Sequence, residues 1–277
     1  MRRSPVGLRP VRSATICVAS GKGGTGKSIV AASLATLFAE RGRTLLVDAD
    51  FGVGNAHILQ DVHPARSLAD LVQGRASARE LLVPCRSGLD LIGAGSGVSR
   101  MAALTHHENL RIAAALDEVE TSYDFVVVDS AAGISPQTVS FAAASDVVVI
   151  VTTPDVTAMT DAYAFLKVLS ARASESTALL LVNRTAEPGE GERVALRLAD
   201  VSRKFLGRDL RSLGALPEDR AVVRSVAARS AVVLSEPGAE VSMALRGLID
   251  GLIAELGHAP RAGLGRTLTE HLNALQP

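Results

Sequence analysis

With 277 residues, 47% hydrophobic, 3% aromatic and no tryptophan, the chain can build one large core or two modest domains filled mainly by Ala, Val and Leu. Basic and acidic residues number 29 each, so zero formal charge gives no reason to make nucleic acid the main partner. The two cysteines, Cys17 and Cys85, exclude a disulfide scaffold or cysteine metal cluster and suit a reducing cytoplasm.

The opening MRRSPVGLRPVRS is basic and reads as a flexible segment over residues 1–12. The apolar run behind it is too short for a signal peptide, and no stretch has the roughly 18 apolar residues of a membrane span. ATICVAS (14–20) is a buried strand, followed by a glycine loop and a helical SIVAASLATLFAERG that Gly42 ends. RTLLVDAD (43–50) is a second strand with aspartates at its C-terminal end. A turn-rich stretch to about residue 88 carries the short helical pattern SLADLVQG, and GLDLIGAGS (88–96) is a short strand. A helix over 107–122 leads to the strand DFVVVDSAAG (124–133), and DVVVIVTTP (146–154) is another strand, closed by Pro154. Helix 156–171, strand 177–184, helix 190–205, strand 210–219 and helices near 220–228 and 238–256 complete the alternation.

Continuous Val/Leu strands alternating with helices predict an α/β fold, a mostly parallel twisted sheet with helices on both faces. The expected organisation is a single domain over 13–256 and a C-terminal tail over 257–277. In that tail Leu264, Leu268, Leu272 and Leu275 fall at helical spacing. Such a stripe can seat on a lipid surface, on a partner or on the protein itself.

GKGGTGKS, residues 21–28, contains the phosphate-loop pattern G-x-x-x-x-G-K-S between a strand and a helix. Its glycines, Gly21, Gly23, Gly24 and Gly26, let successive N–H groups, that of Thr25 included, curl around phosphate oxygens. Lys27 reaches the β- and γ-phosphates, and the Ser28 hydroxyl suits magnesium. ATP and Mg²⁺ are therefore the expected ligands. Of the four lysines in the chain, two stand in this loop. Lys22 need not reach the phosphates of its own site, but it can reach across to a second copy facing it, as an arginine finger does in trans. Asp129, after a hydrophobic strand, can hold magnesium through water, and Gly133 lets the next loop approach the γ-phosphate.

The run Lys22 through Ser28, K-G-G-x-G-K-S, resembles the mark of the MinD/ParA-type deviant Walker A ATPases, members of the P-loop NTPase fold. The resemblance covers about residues 12 to 255. It implies an ATP-sandwich homodimer in which Lys22 acts across the interface. It also implies that Asp50 positions the attacking water and that Asp48 belongs to the magnesium and water network. Asn55 falls near the dimer face. Asn183 and Pro217, Glu218 and Asp219 match base-recognition positions, although Asp219 also suits a helix N-cap.

DADFGVGN, GLDLIGAGSGVSRMAAL and the T-D-A-Y of residues 160–163 look most like the flagellar-number regulator branch, FlhG/FleN. That likeness implies slow, partner- or membrane-regulated ATP hydrolysis controlling flagellar number or placement. Its implied partners are the flagellar GTPase FlhF and flagellar switch or regulatory proteins, and its implied location is the cytoplasm with peripheral contact to the inner face of the cell membrane. The D-Q-A-x-x-L-R motif by which the branch stimulates its GTPase is not present before the first strand. A division-site or chromosome- and cargo-partitioning ATPase is the rival within the family. Iron–sulfur carriers and nitrogenase reductase relatives need cysteines meeting at a dimer axis, which Cys17 and Cys85 do not supply.

Overall fold

In the computed structural model, residues 12–95, 104–259 and 262–274 are described. The expected flexible segment 1–12 thus lies outside them except for Arg12, as do Leu275 and the 96–103 part of the branch-like GSGVSRMAAL stretch. Strand β1 (Ala14–Ser20) is buried at every position, and helix α1 (Lys27–Ala39) follows the phosphate loop. After β2 (Thr44–Ala49) come the short helices α2 (Ala56–Leu59) and α3 (Leu68–Val72) and the minor strands β3 (Val83–Pro84) and β4 (Asp90–Ile92). The alternation resumes with α4 (His106–Glu120), β5 (Phe125–Ala132), α5 (Pro136–Ala143), β6 (Val147–Thr152), α6 (Val156–Arg172), β7 (Thr177–Thr185), α7 (Glu190–Leu206) and β8 (Arg211–Pro217). Helices α8 (Arg220–Ala227), α9 (Val232–Ser235), α10 (Glu240–His258) and α11 (Leu264–Asn273) end the described chain.

The strands form one eight-stranded sheet in the order β3-β4-β2-β5-β1-β6-β7-β8. Every pairing is parallel except β3 with β4. Side chains alternate across a strand, so each buried strand feeds two cores. Ile16, Val18, Leu46 and Val127 face the layer that holds α1 and α10, whereas Cys17, Val47, Val126 and Val128 face α4, α6, α7 and α11. Helices therefore cover both faces, as a parallel sheet requires. Strand β1 is the switch point: it is paired on one side with β5 and on the other with β6, so the crevice opens at its C-terminal end.

The leucine stripe of the tail seats on the protein itself. Leu264, Leu268 and Leu272 are buried in the core beneath α4 and α5, and Gly265 lies so close to α4 that a Cβ would overlap Asp117 N and Ala113 O. The buried Glu120 carboxylate accepts the N–H groups of Leu264 at 2.7 Å and Gly265 at 3.3 Å. Arg12 joins this corner, bonding Asp117 at 2.8 Å and Glu120 at 3.2 Å. A carboxylate at a helix N-terminus satisfies free N–H groups and complements the helix dipole.

Candidate functional site

The site is assembled by register. Asp48 of β2 stands beside Asp129 of β5, and Asp129 stands beside Val18 of β1. Registered residues in parallel strands point to the same face, which here is the α1 face. The first residue of α1 is Lys27, preceded by Gly26 in the left-handed region at φ 89°. That conformation suits glycine, and a Cβ at Gly26 would also overlap the side-chain amide of Asn183. Lys27 is turned inward, its ammonium 2.5 Å from Asp129 Oδ1 and 3.4 Å from Ser28 Oγ.

Asp129 is fully buried, and burial pushes its carboxyl up while Lys27 draws it back. Its other oxygen, Oδ2, has no hydrogen-bond partner among the described residues, and neither has the buried Thr25 hydroxyl. A buried carboxylate oxygen left without a donor is costly in a protein alone. It is consistent with a cation or its bound water taking that place. The donor set of Ser28 hydroxyl and Asp129 carboxylate fits magnesium, a hard cation that takes oxygen ligands.

Asp48 is engaged with the loop that follows its strand. Its Oδ1 accepts from Asp50 N and its Oδ2 from Ala56 N, both at 3.1 Å, so the carboxylate pins both ends of the loop between β2 and α2. Gly54 passes against it, where a Cβ would come within 2.5 Å of Oδ2. Burial, reinforced by the neighbouring Asp129, raises the Asp48 carboxyl above the ordinary range. Asp50 is folded onto the same loop, its Oδ1 accepting from Gly52 N at 3.2 Å and Val53 N at 3.0 Å. Asn55, exposed, starts α2 without capping it through its side chain.

Lys22 lies outside this buried cluster. Its ammonium is 3.1 Å from Asp155 Oδ2 and donates to Thr157 Oγ1, at the N-terminus of α6. Asp155 also caps that helix through Thr157 N. Gly21, at the loop's first turn, lies flush on the backbone of Asp161 and Ala162. Residues 160–163 thus include the brace of the phosphate loop. Gly133 donates its N–H to Ser20 O at 2.9 Å, tying the β5–α5 loop to the same place.

At the far end of the loop, Asn183 Nδ2 donates to Thr25 O at 2.8 Å. Asn183, Pro217, Glu218 and Asp219 meet around a cavity of about 270 Å³ whose apolar walls include Ile29, Val30, Val222 and Leu245. The Asp219 side chain caps α8 by accepting from Ala221 N at 2.8 Å, the N-cap use that the sequence also offered. A larger groove between α7 and β8 is lined by Arg203 and Arg211, which are already paired with acidic residues, and lies apart from the loop. Sequence reasoning missed Asp155, Thr157 and Arg184. The P-D-V-T of residues 154–157, a capping signal directly after a strand, was the available cue for the first two.

A family model described as an AAA domain matches residues 13–179. Antiactivator FleN of Pseudomonas aeruginosa is 34% identical over 240 residues, covering 86% of this chain and 85% of that protein. Flagellum site-determining protein YlxH of Helicobacter pylori is also 34% identical, over 87% of this chain and 82% of its own length. The chain belongs to the FleN/YlxH branch of the MinD/ParA-type ATPase family. The fold agrees: septum site-determining protein MinD of Pyrococcus horikoshii, solved with Mg-ADP, superposes with TM-score 0.72 at 21% identity, covering 87% of this chain and 96% of that one. Within the family's signature loop, Lys27 faces inward and Lys22 faces outward.

Proposed function

We propose that this chain is an ATP-hydrolysing switch that regulates flagellar number or placement, alternating between an ATP-bound homodimer and a monomer. The observation that carries the ATPase part is the convergence of Lys27, Asp129 and Asp48 beneath a phosphate loop whose second lysine, Lys22, lies at the surface. The flagellar assignment is supported by the two relatives at 34% identity.

Phosphate oxygens compete with Asp129 for the Lys27 ammonium, while the loop N–H groups and the α1 N-terminus bind the remaining charge. Ser28 and Asp129 would hold magnesium, which would supply neutralisation of the phosphate charge. Asp48 acts mainly by holding the β2–α2 loop, and Asp50 leaves its loop contacts to orient the attacking water. Asn183, Pro217, Glu218 and Asp219 enclose the base. Lys22 exchanges Asp155 for the nucleotide of a facing copy, with Asn55 and Gly133 on the loops that meet it. Val53 and Ile134 on two loops and Val156 at the start of α6, exposed apolar residues at this end of the sheet, provide a rim suited to such a contact. Flagellar switch proteins and the GTPase FlhF are the proposed partners of the ATP state. The proposed location is the cytoplasm with peripheral contact to the membrane, as the likeness to the flagellar branch implies; no helix among the described residues is long and apolar enough to cross a membrane.

Affinity capture from the native cell tests this, using Asp50→Ala protein held with ATP and Lys27→Ala as control. Flagellar switch proteins or the GTPase, bound only by the ATP-held form, are the expected result. Division or DNA-partition proteins in their place would transfer the same mechanism to the septum-site and partitioning branch.

A further inference from the structure

Two helices end against each other at a cleft that shares no residue with the phosphate loop or the base cavity. The residue after the cap of α2 is Asp61 and the residue after the cap of α8 is Arg229, and both stand at φ 50°. Among the described residues only one other non-glycine residue, Arg184, has a positive φ. Glycine is the usual occupant of such a helix-ending position, so a charged side chain kept there strains the backbone, and strain of this kind gathers at functional sites. Asp61 and Arg229 line one cavity of about 120 Å³, which the turn between β3 and β4 completes with Arg86 and Ser87.

The cleft is rich in donors that lack acceptors. The Arg229 guanidinium has no hydrogen-bond or ion-pair partner among the described residues. Arg86, 91% exposed, meets only Asp61, at 3.9 Å, which is beyond hydrogen-bond distance. Gln60 is buried; its Oε1 accepts from Ser87 Oγ at 2.6 Å and its Nε2 donates one N–H to Thr36 Oγ1 at 3.3 Å, which leaves the second N–H free. Two guanidiniums against one carboxylate give the cleft a positive charge in a chain whose formal charge is zero. A guanidinium presents its N–H groups as a planar fork that matches phosphate oxygens. The volume equals that of about four waters, enough for one tetrahedral anion.

We infer that this cleft is a second anion site, which takes a phosphate group on Arg86 and Arg229 with the free N–H of Gln60. The group belongs either to a free phosphate or to a lipid headgroup, whose acyl chains would find the exposed Leu234 on the cleft wall. The inference is independent of the nucleotide reading, because the cleft uses none of the residues assigned to ATP.

The test is an NMR titration of the full chain with inorganic phosphate, read at the Ser230 amide in the cleft wall, beside co-sedimentation with phosphatidylglycerol vesicles. Arg229→Gly removes the guanidinium while giving the left-handed backbone its preferred residue, so this variant is expected to melt no lower than the wild type. Arg86→Ala removes an exposed side chain and leaves the core intact. Each variant is expected to weaken binding by roughly tenfold, whereas Arg197→Ala, an exposed arginine on α7, should change it by less than about twofold. That pattern with inorganic phosphate assigns the cleft to a free phosphate. The same pattern with vesicles, and no response to inorganic phosphate, assigns it to a headgroup. Where Arg86→Ala or Arg229→Gly leaves phosphate and vesicle binding both within about twofold of wild type, where Arg197→Ala loses as much, or where the wild type binds neither probe, the inference is overturned.

Discussion

At the level of single residues, the two lysines of one loop have opposite surroundings. Lys27 is buried against Asp129, whereas Lys22 is 40% exposed and held by Asp155 and Thr157. A surface ion pair is weak and screened, so a competing anion can displace it readily. Replacing Lys22 with alanine removes no group from the buried cluster. It is expected to leave ATP binding within about threefold of wild type while abolishing ATP-dependent dimers in light scattering, since the loop's own N–H groups and Lys27 do the binding. Dimers that persist would remove Lys22 from the interface. Asp155→Ala should act the other way. With its resting partner gone, Lys22 is free at lower cost, and the ATP concentration for half-maximal dimerisation should fall by roughly twofold to fivefold. A rise in that concentration would show that Asp155 supports the dimer. Lys22 was recognisable from the sequence because the loop is contiguous. Its resting partner was not, because Asp155 is 133 residues away and meets it only through the packing of β1 beside β6.

At the level of elements, α11 tests whether a helix with an amphipathic sequence belongs to the core. Its three buried leucines are each worth about 1.5–3 kcal/mol relative to exposure, and Glu120 secures the entry turn. Leu268→Ala should therefore destabilise the protein by about 2–5 kcal/mol and lower the melting midpoint by several degrees. An unchanged melt would mean that α11 is detached from the cooperative unit. The stripe's spacing foretold the helix but not its seat, because an apolar face is equally suited to lipid, partner or core. The deciding features are Glu120 and the close approach of Gly265 to α4, both long-range. Elsewhere the long apolar strands were legible because burial on both faces leaves an unbroken Val/Leu run. Four short elements were not: α2 and α9, helices of four residues each; α5, whose S-P-Q-T start follows a glycine turn and whose body is mostly small residues; and β3, a two-residue edge strand below any detectable period.

At the level of the whole molecule, one sheet end gathers everything the chemistry needs. The switch at β1 opens a crevice there; the loops after β1, β2, β5, β6 and β8 supply the phosphate loop, Asp50, Gly133, Asp155 and Glu218 in turn, and the C-terminal end of β7 supplies Asn183. Apart from Asp155, those positions were legible, Asp50, Gly133 and Asn183 as aspartate, glycine or asparagine at a strand end and Glu218 from the family likeness. What the sequence left open was the state of the loops, because hydrogen bonds within them depend on neighbours brought by the fold. Asp50 is the sharpest instance. Its Oδ1 accepts from Gly52 N and Val53 N, so in the role proposed for Asp50 the loop pinned at Asp48 has to rearrange to bring that oxygen to water at the γ-phosphate. Under that proposal hydrolysis depends on the contact that rearranges the loop, and binding precedes it. Asp50→Ala should then keep ATP affinity and dimerisation, because neither uses the carboxylate, while phosphate release falls at least about a hundredfold, in line with loss of a residue that orients the nucleophile. Light scattering with ATP and a phosphate-release assay on the same sample separate the two effects. Lost dimers would instead make Asp50 a structural anchor of the interface loop, and unchanged phosphate release would assign the water to another residue.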